Sequence, residues 1–115
     1  MHYNLGNALY LNGVTDEAIK HYYAAIEIFP NKAETHYNLG NALCVDSRYE
    51  EAVTAYEKAL ELDPQNAPAY YNLGNALYML NRFEDSIASY HKALDLNAES
   101  PECHFNLASA CNDLG

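Results

Sequence analysis

Tyr37-Asn38-Leu39-Gly40-Asn41-Ala42-Leu43 returns 34 residues later as Tyr71-Asn72-Leu73-Gly74-Asn75-Ala76-Leu77. The run Asn-Leu-Gly-Asn-Ala-Leu also stands at residues 4–9 at the same spacing, and a degenerate copy, Asn106-Leu107-Ala108-Ser109-Ala110-Cys111, follows the third. The stretches between the copies repeat as well. Glu17-Ala18-Ile19 matches Glu51-Ala52-Val53 and Asp85-Ser86-Ile87, and Tyr22 matches Tyr56 and Tyr90. Ala25-Ile26 matches Ala59-Leu60 and Ala93-Leu94. A fixed period of this length marks a stack of supersecondary units, each too small to bury its apolar face alone.

Within a unit the pattern reads as two helices. Leu39, Ala42 and Leu43 fall at helical spacing in the first, and Ala52, Val53, Tyr56, Ala59 and Leu60 form the buried face of the second. Residues that tolerate a left-handed conformation lie between them at Asn12-Gly13, Asp46-Ser47 and Asn81. The second helix opens near Asp16, Glu50 or Glu84, acids placed where the helix dipole favours them. Pro30 and Pro64 stop it, and Ser100-Pro101 reads as a cap opening the last helix.

The spacing of Leu39, Gly40, Ala52, Tyr56, Ala59 and Pro64 resembles the tetratricopeptide repeat, and the resemblance covers the whole chain. It implies an all-α, right-handed superhelical solenoid of antiparallel helix pairs with an inner and an outer face. The glycine suits close helix contact, having no side chain. One departure lies at the fourth residue of the unit, where the family often has Trp and this chain has His2, His36, Tyr70 and His104. The register gives a single domain over 1–115, with units 1–32, 33–66 and 67–100 and a last helix 101–115. Met1 then falls inside a first helix and Gly115 at a turn, so both ends read as cuts through a longer array. The lone last helix either caps the third unit's apolar face or leaves Leu107, Cys111 and Leu114 partly exposed, which would favour self-association.

Composition narrows the function. The chain of 115 residues is half hydrophobic, enough for one core, and contains no run long enough for a membrane span. Its formal charge is −10, from 6 basic and 16 acidic residues. No basic patch is present to neutralise phosphates, which speaks against nucleic acid and anionic membranes and for a neutral or basic partner. Cys44, Cys103 and Cys111 are odd in number and form no CxxC, which suits free thiols in a reducing, cytoplasmic (or nuclear) setting. The histidines are scattered, with no HExxH, and no GxGxxG or GxxxxGK phosphate loop occurs. No metal, cofactor or catalytic residue is expected, and no enzyme activity.

In the family that the repeat resembles, first helices line the concave groove. That implies groove-facing Tyr3, Asn4, Asn7, Tyr10 and Leu11, then Tyr37, Asn38, Asn41, Cys44 and Val45, then Tyr71, Asn72, Asn75, Tyr78 and Met79, with Phe105 and Asn106 extending the row. A carboxamide offers donors and an acceptor, so Asn4, Asn38, Asn72 and Asn106 could pair with an extended peptide backbone. Such a ladder resembles the groove of the O-GlcNAc transferase superhelix, which grips backbone with little regard for sequence. The alternative reading has these amides bonding neighbouring backbone within the superhelix. Tyr22, Tyr56 and Tyr90 read as packing residues. Members that bind chaperone tails use Lys, Asn and Arg in a carboxylate clamp. The matching positions here are Tyr3, Asn7, Asn38, Pro68 and Asn72, and without the cations that partner is not expected. The expected function is a non-catalytic scaffold that captures an extended protein or peptide segment. The alternatives are a substrate-selecting arm of a larger enzyme, such as a glycosyltransferase, and a self-assembling structural repeat.

Overall fold

The computed structural model of the chain describes residues 15–97 and 100–114. Within them lie α1 (Thr15–Ile28), α2 (Ala33–Val45), α3 (Tyr49–Leu62), α4 (Ala67–Met79), α5 (Phe83–Leu96) and α6 (Pro101–Leu114). Each helix packs on the next in sequence, so the array is built from local contacts. The result is elongated, with extents of 44 × 25 × 20 Å. The backbone of α4 also touches those of α2 and α6, whereas among the described residues α1, α3 and α5 make no such mutual approach. Helices that crowd together lie on the inside of a curved stack. The row α2, α4, α6 is therefore the concave face of an all-α repeat solenoid. Among the described residues no helix is long and apolar enough to cross a membrane.

The helix ends follow from local chemistry. Ser47 and Asn81 are left-handed, with φ of 59° and 61°. Around the first, the Arg48 amide donates to the Leu43 carbonyl at 2.8 Å and the Ser47 amide to Cys44 at 3.0 Å. Arg82 and Asn81 repeat this on Leu77 and Tyr78, both at 2.9 Å. These paired bonds satisfy the last carbonyls of α2 and α4 and turn the chain straight into the following helix. Acids occupy the first turns of α1, α3 and α5, and Asn66 caps α4 by accepting from the Ala69 amide at 3.1 Å. Ser100 serves α6 in the same way, accepting from the Cys103 amide at 3.3 Å.

The core runs the length of the array. Ala18, Ile19 and Tyr22 of α1 join Leu39, Ala42 and Leu43 of α2, then Ala52, Val53 and Tyr56 of α3, then Ala69, Leu73 and Leu77 of α4. A second cluster gathers Tyr90, Ala93, Cys103 and Ala110, and Tyr70 packs against both. The tightest contact is between a tyrosine and a glycine. A methyl group built on Gly40 would lie 2.6 Å from the Tyr56 ring, and one on Gly74 would lie 2.7 Å from the Tyr90 ring. The absence of a side chain lets each ring lie flat against the facing helix. The hydroxyl then reaches past it, Tyr56 donating to Asn41 Oδ1 at 2.6 Å and Tyr90 to Asn75 Oδ1 at 2.5 Å. Ser86, standing where α3 has Ala52, adds a bond from its hydroxyl to the Gly74 carbonyl at 2.8 Å.

Two outcomes follow from this contact. Gly40→Ala gains about 1 kcal/mol of helix propensity, yet the overlap with the buried Tyr56 ring costs about 1–3 kcal/mol. Chemical denaturation is expected to show net destabilisation, and a stabilised variant would refute the close approach. Burial pushes the Tyr90 phenol from 10.0 up to about 12. The folded state holds this proton more tightly than the unfolded chain, so the stability it contributes is intact below pH 10 and is lost as pH rises towards 12. Melting temperature is therefore expected to fall across that window, and less steeply in Tyr90→Phe.

Candidate functional site

The amides of the concave face are joined by a hydrogen-bond relay that repeats from unit to unit. Asn72 Nδ2 donates to Asn41 Oδ1 at 3.0 Å and to the Tyr37 hydroxyl at 3.3 Å. One unit on, Asn106 Nδ2 donates to Asn75 Oδ1 at 3.0 Å and to the Tyr71 hydroxyl at 2.8 Å. Because Tyr56 and Tyr90 also donate to Asn41 and Asn75, each of these two acceptors takes two bonds, one from its own unit and one from the next. The tyrosine rings stack in register, Tyr37 against Tyr56 at 6.1 Å and Tyr71 against Tyr90 at 5.9 Å, both tilted. Asn38 is half-buried and also engaged. Among the described residues no buried side-chain nitrogen or oxygen lacks a partner.

These bonds assign each polar group. Both N–H groups of Asn72 and of Asn106 are committed to the neighbouring unit, and their carbonyl oxygens lie outside these bonds. Tyr37 and Tyr71 accept through oxygen, which leaves each O–H proton available as a donor. The face thus keeps one acceptor and one donor per step after holding its own units together.

Two recesses of similar size open beside the relay. One, of about 310 Å³, is lined by Asn41, Cys44, Val45, Tyr56, Asn72 and Asn75. The other, of about 330 Å³, is lined by Asn75, Tyr78, Met79, Tyr90, Phe105, Asn106 and Ser109. They share Asn75, and their walls include Val45, Met79 and Phe105, which are 59%, 55% and 71% exposed. A third recess holds Tyr37 and Asn38 beside the acids Glu34 and Asp63. The structure therefore brings Asn41, Asn72, Asn75, Tyr78 and Asn106 to two adjoining recesses, with Tyr37 and Asn38 at the third. Tyr71 supports the row through Asn106. Asn4 and Asn7 lie outside the described residues.

The remaining sequence candidates find ordinary roles. His36 is buried, and its Nε2 lies 2.8 Å from the Pro30 carbonyl, so this nitrogen carries the proton. Among the described residues no group of His, Cys, Asp and Glu could hold a metal ion. Burial pushes the Cys44 thiol above its ordinary range, outweighing the bond to the Tyr56 hydroxyl at 3.6 Å, so it stays protonated. A cleft of about 360 Å³ opens away from the groove between α1, α2 and α3, beside His36, where the following unit has the larger Tyr70.

Tyr56 and Tyr90 were legible only as packing residues, although their hydroxyls hold the groove amides. The available signal was a tyrosine, rather than Phe or Leu, repeated at a core position. Asp113 was missed as well. It accepts a hydrogen bond from the Tyr78 hydroxyl, which, with some burial and the carboxylate charge, holds that phenol above its usual range.

Comparison with known proteins bears on the fold. The first TPR of Spaghetti (RPAP3), bound to HSP90 peptide SRMEEVD, superposes with a TM-score of 0.95 at 23% identity, covering 98% of this chain and 90% of that one. The Arabidopsis OM64 TPR domain gives 0.93 at 23% identity, over 96% of this chain and 92% of that one. MamA gives 0.93 at 27% identity, over 96% of this chain and 64% of that one. At such identities these likenesses speak for the fold. No curated protein matches the chain. The family description "TPR repeat" matches residues 6–44 and 46–81, and "Tetratricopeptide repeat" matches 67–100. The chain belongs to the tetratricopeptide repeat family.

Proposed function

We propose that the chain is a non-catalytic scaffold whose α2–α4–α6 face captures an extended, neutral or basic peptide segment. The observation that carries this reading is the pair of adjoining recesses one repeat apart, each walled by exposed apolar side chains next to the hydrogen-bonded amides. Exposed apolar surface clustered in a recess is characteristic of a binding site. A peptide backbone needs both an acceptor and a donor at regular intervals. The carbonyl oxygens of Asn72 and Asn106 supply the first, and the hydroxyl protons of Tyr37 and Tyr71 supply the second. Val45, Met79 and Phe105 would receive side chains.

Charge selects the class of partner. Lys20, Lys32, Arg48, Lys58, Arg82 and Lys92 are all the basic residues, and none lies on α2, α4 or α6. The acidic peptide in the RPAP3 complex would find no cation on this face, so the partner proposed here differs from that one.

The test is fluorescence anisotropy with a combinatorial library of labelled peptides of neutral and basic composition. Met79→Ser and Phe105→Ala are expected to weaken selected binders about tenfold each. Because both side chains are more than half exposed, stability should stay within about 0.5 kcal/mol of the parent. Unchanged affinity in both variants would remove the groove reading.

A further inference from the structure

We infer that the recess between α4 and α6 is a pocket for a single arginine side chain of the bound segment. The inference rests on the groove reading and adds a residue-level specificity to it. Its first support is how this recess departs from the repeat. One unit earlier the equivalent positions are Cys44, Tyr71, Asn75 and Met79, and here they are Tyr78, Phe105, Ser109 and Asp113. The changes add aromatic surface and one carboxylate, and remove an amide. Phe105 and Ser109 line the recess from α6, and Asp113, one turn further along the same face, stands beyond them.

The chemistry of that stripe matches a long side chain tipped by a planar cation. Met79 and the exposed Phe105 ring offer an apolar channel for the methylene stem. A guanidinium stacks on aromatic faces and pairs with carboxylates, and Tyr78 with its hydrogen-bonded partner Asp113 provides both beside the recess. The Tyr78 hydroxyl donates to Asp113 Oδ2, which orients the carboxylate and leaves Oδ1 to accept from a ligand. Tyr78 is itself braced edge-on by Phe83 at 5.3 Å. No ion pair within the described residues occupies Asp113, whereas Arg48 and Arg82 are tied to Glu51 and Glu50. Among the described residues Asp113 therefore has no cation of its own to compete with a ligand's.

The experiment titrates N-acetyl-arginine amide, and separately its neutral isostere N-acetyl-citrulline amide, into the isotopically labelled chain while amide NMR signals are followed. The arginine probe is expected to shift Phe105, Ser109 and Asp113 saturably, and the citrulline probe to bind about fivefold more weakly. In Asp113→Asn that preference should vanish while the dispersed spectrum is kept, and Phe105→Ala should weaken both probes. Equal binding of the two probes, a preference surviving in Asp113→Asn, or no saturable arginine binding would overturn the inference. The peptide library separates the two readings. Library binders indifferent to arginine and to Asp113 would leave the groove standing and remove only the pocket. Arginine capture without any peptide binding would remove the groove reading.

Discussion

The contact of a tyrosine ring with a glycine backbone is the constraint on which this architecture rests. A side chain at Gly40 or Gly74 would push the second helix of the pair outward, since no atom fits within 2.6–2.7 Å of the ring. With the glycine in place, the ring is buried and its hydroxyl emerges on the far side, at the concave face. There it fixes Asn41 or Asn75, and those amides in turn receive Asn72 and Asn106 from the next unit. Packing within a unit is thereby transmitted as polar registration between units. Burial of the rings supplies the larger energy, because an aromatic side chain buries more area than any other. The hydrogen bonds add about 1 kcal/mol each, and they set orientation.

Much of this was legible from the sequence. The 34-residue period gave the helix pairs, and Ser47, Asn81 and Ser100 marked helix ends that the structure places within a residue or two, whereas the Asn66 cap emerged only from the structure. Such features are local, and local chemistry can be read from neighbouring residues. The relay was less legible because it joins residues 15, 31 and 35 apart. Periodicity shows that Asn72 recurs on one face, but it cannot show where two N–H groups are spent. The amides therefore read equally as groups for a ligand or for neighbouring backbone, and the hydroxyls of Tyr56 and Tyr90 looked incidental to packing. Asp113 escaped for a related reason. Its partner, Tyr78, belongs to another helix 35 residues away, so the bond that gives the residue its role does not show in the sequence.

The relay also constrains how the groove can bind. Its amide N–H groups cannot be offered to a ligand without loosening the contact between units. Side-chain carbonyl oxygens and phenolic protons are the groups that remain, and they differ in strength and geometry from a free carboxamide. Recognition through them would be weak per contact and dependent on several steps of the array acting together. The apolar walls vary along the groove, from Cys44 and Val45 to Tyr78, Met79 and Phe105, so the proposed capture would meet a different side-chain preference at each position.

Electrostatics extends the same argument to the whole face. With every Lys and Arg on the second helices or the turns, several of them in ion pairs with nearby acids, the positive charge is spent on the outer surface. The inner face is left with uncharged polar groups and a few acids. A low density of groove charge suits an extended chain better than a charged terminus, because neutral contacts do not impose a fixed end point. In the proposed mode an acid such as Asp113 would serve as a register mark, costing little when unoccupied, since it remains in water, and favouring one alignment of the strand when a cation reaches it.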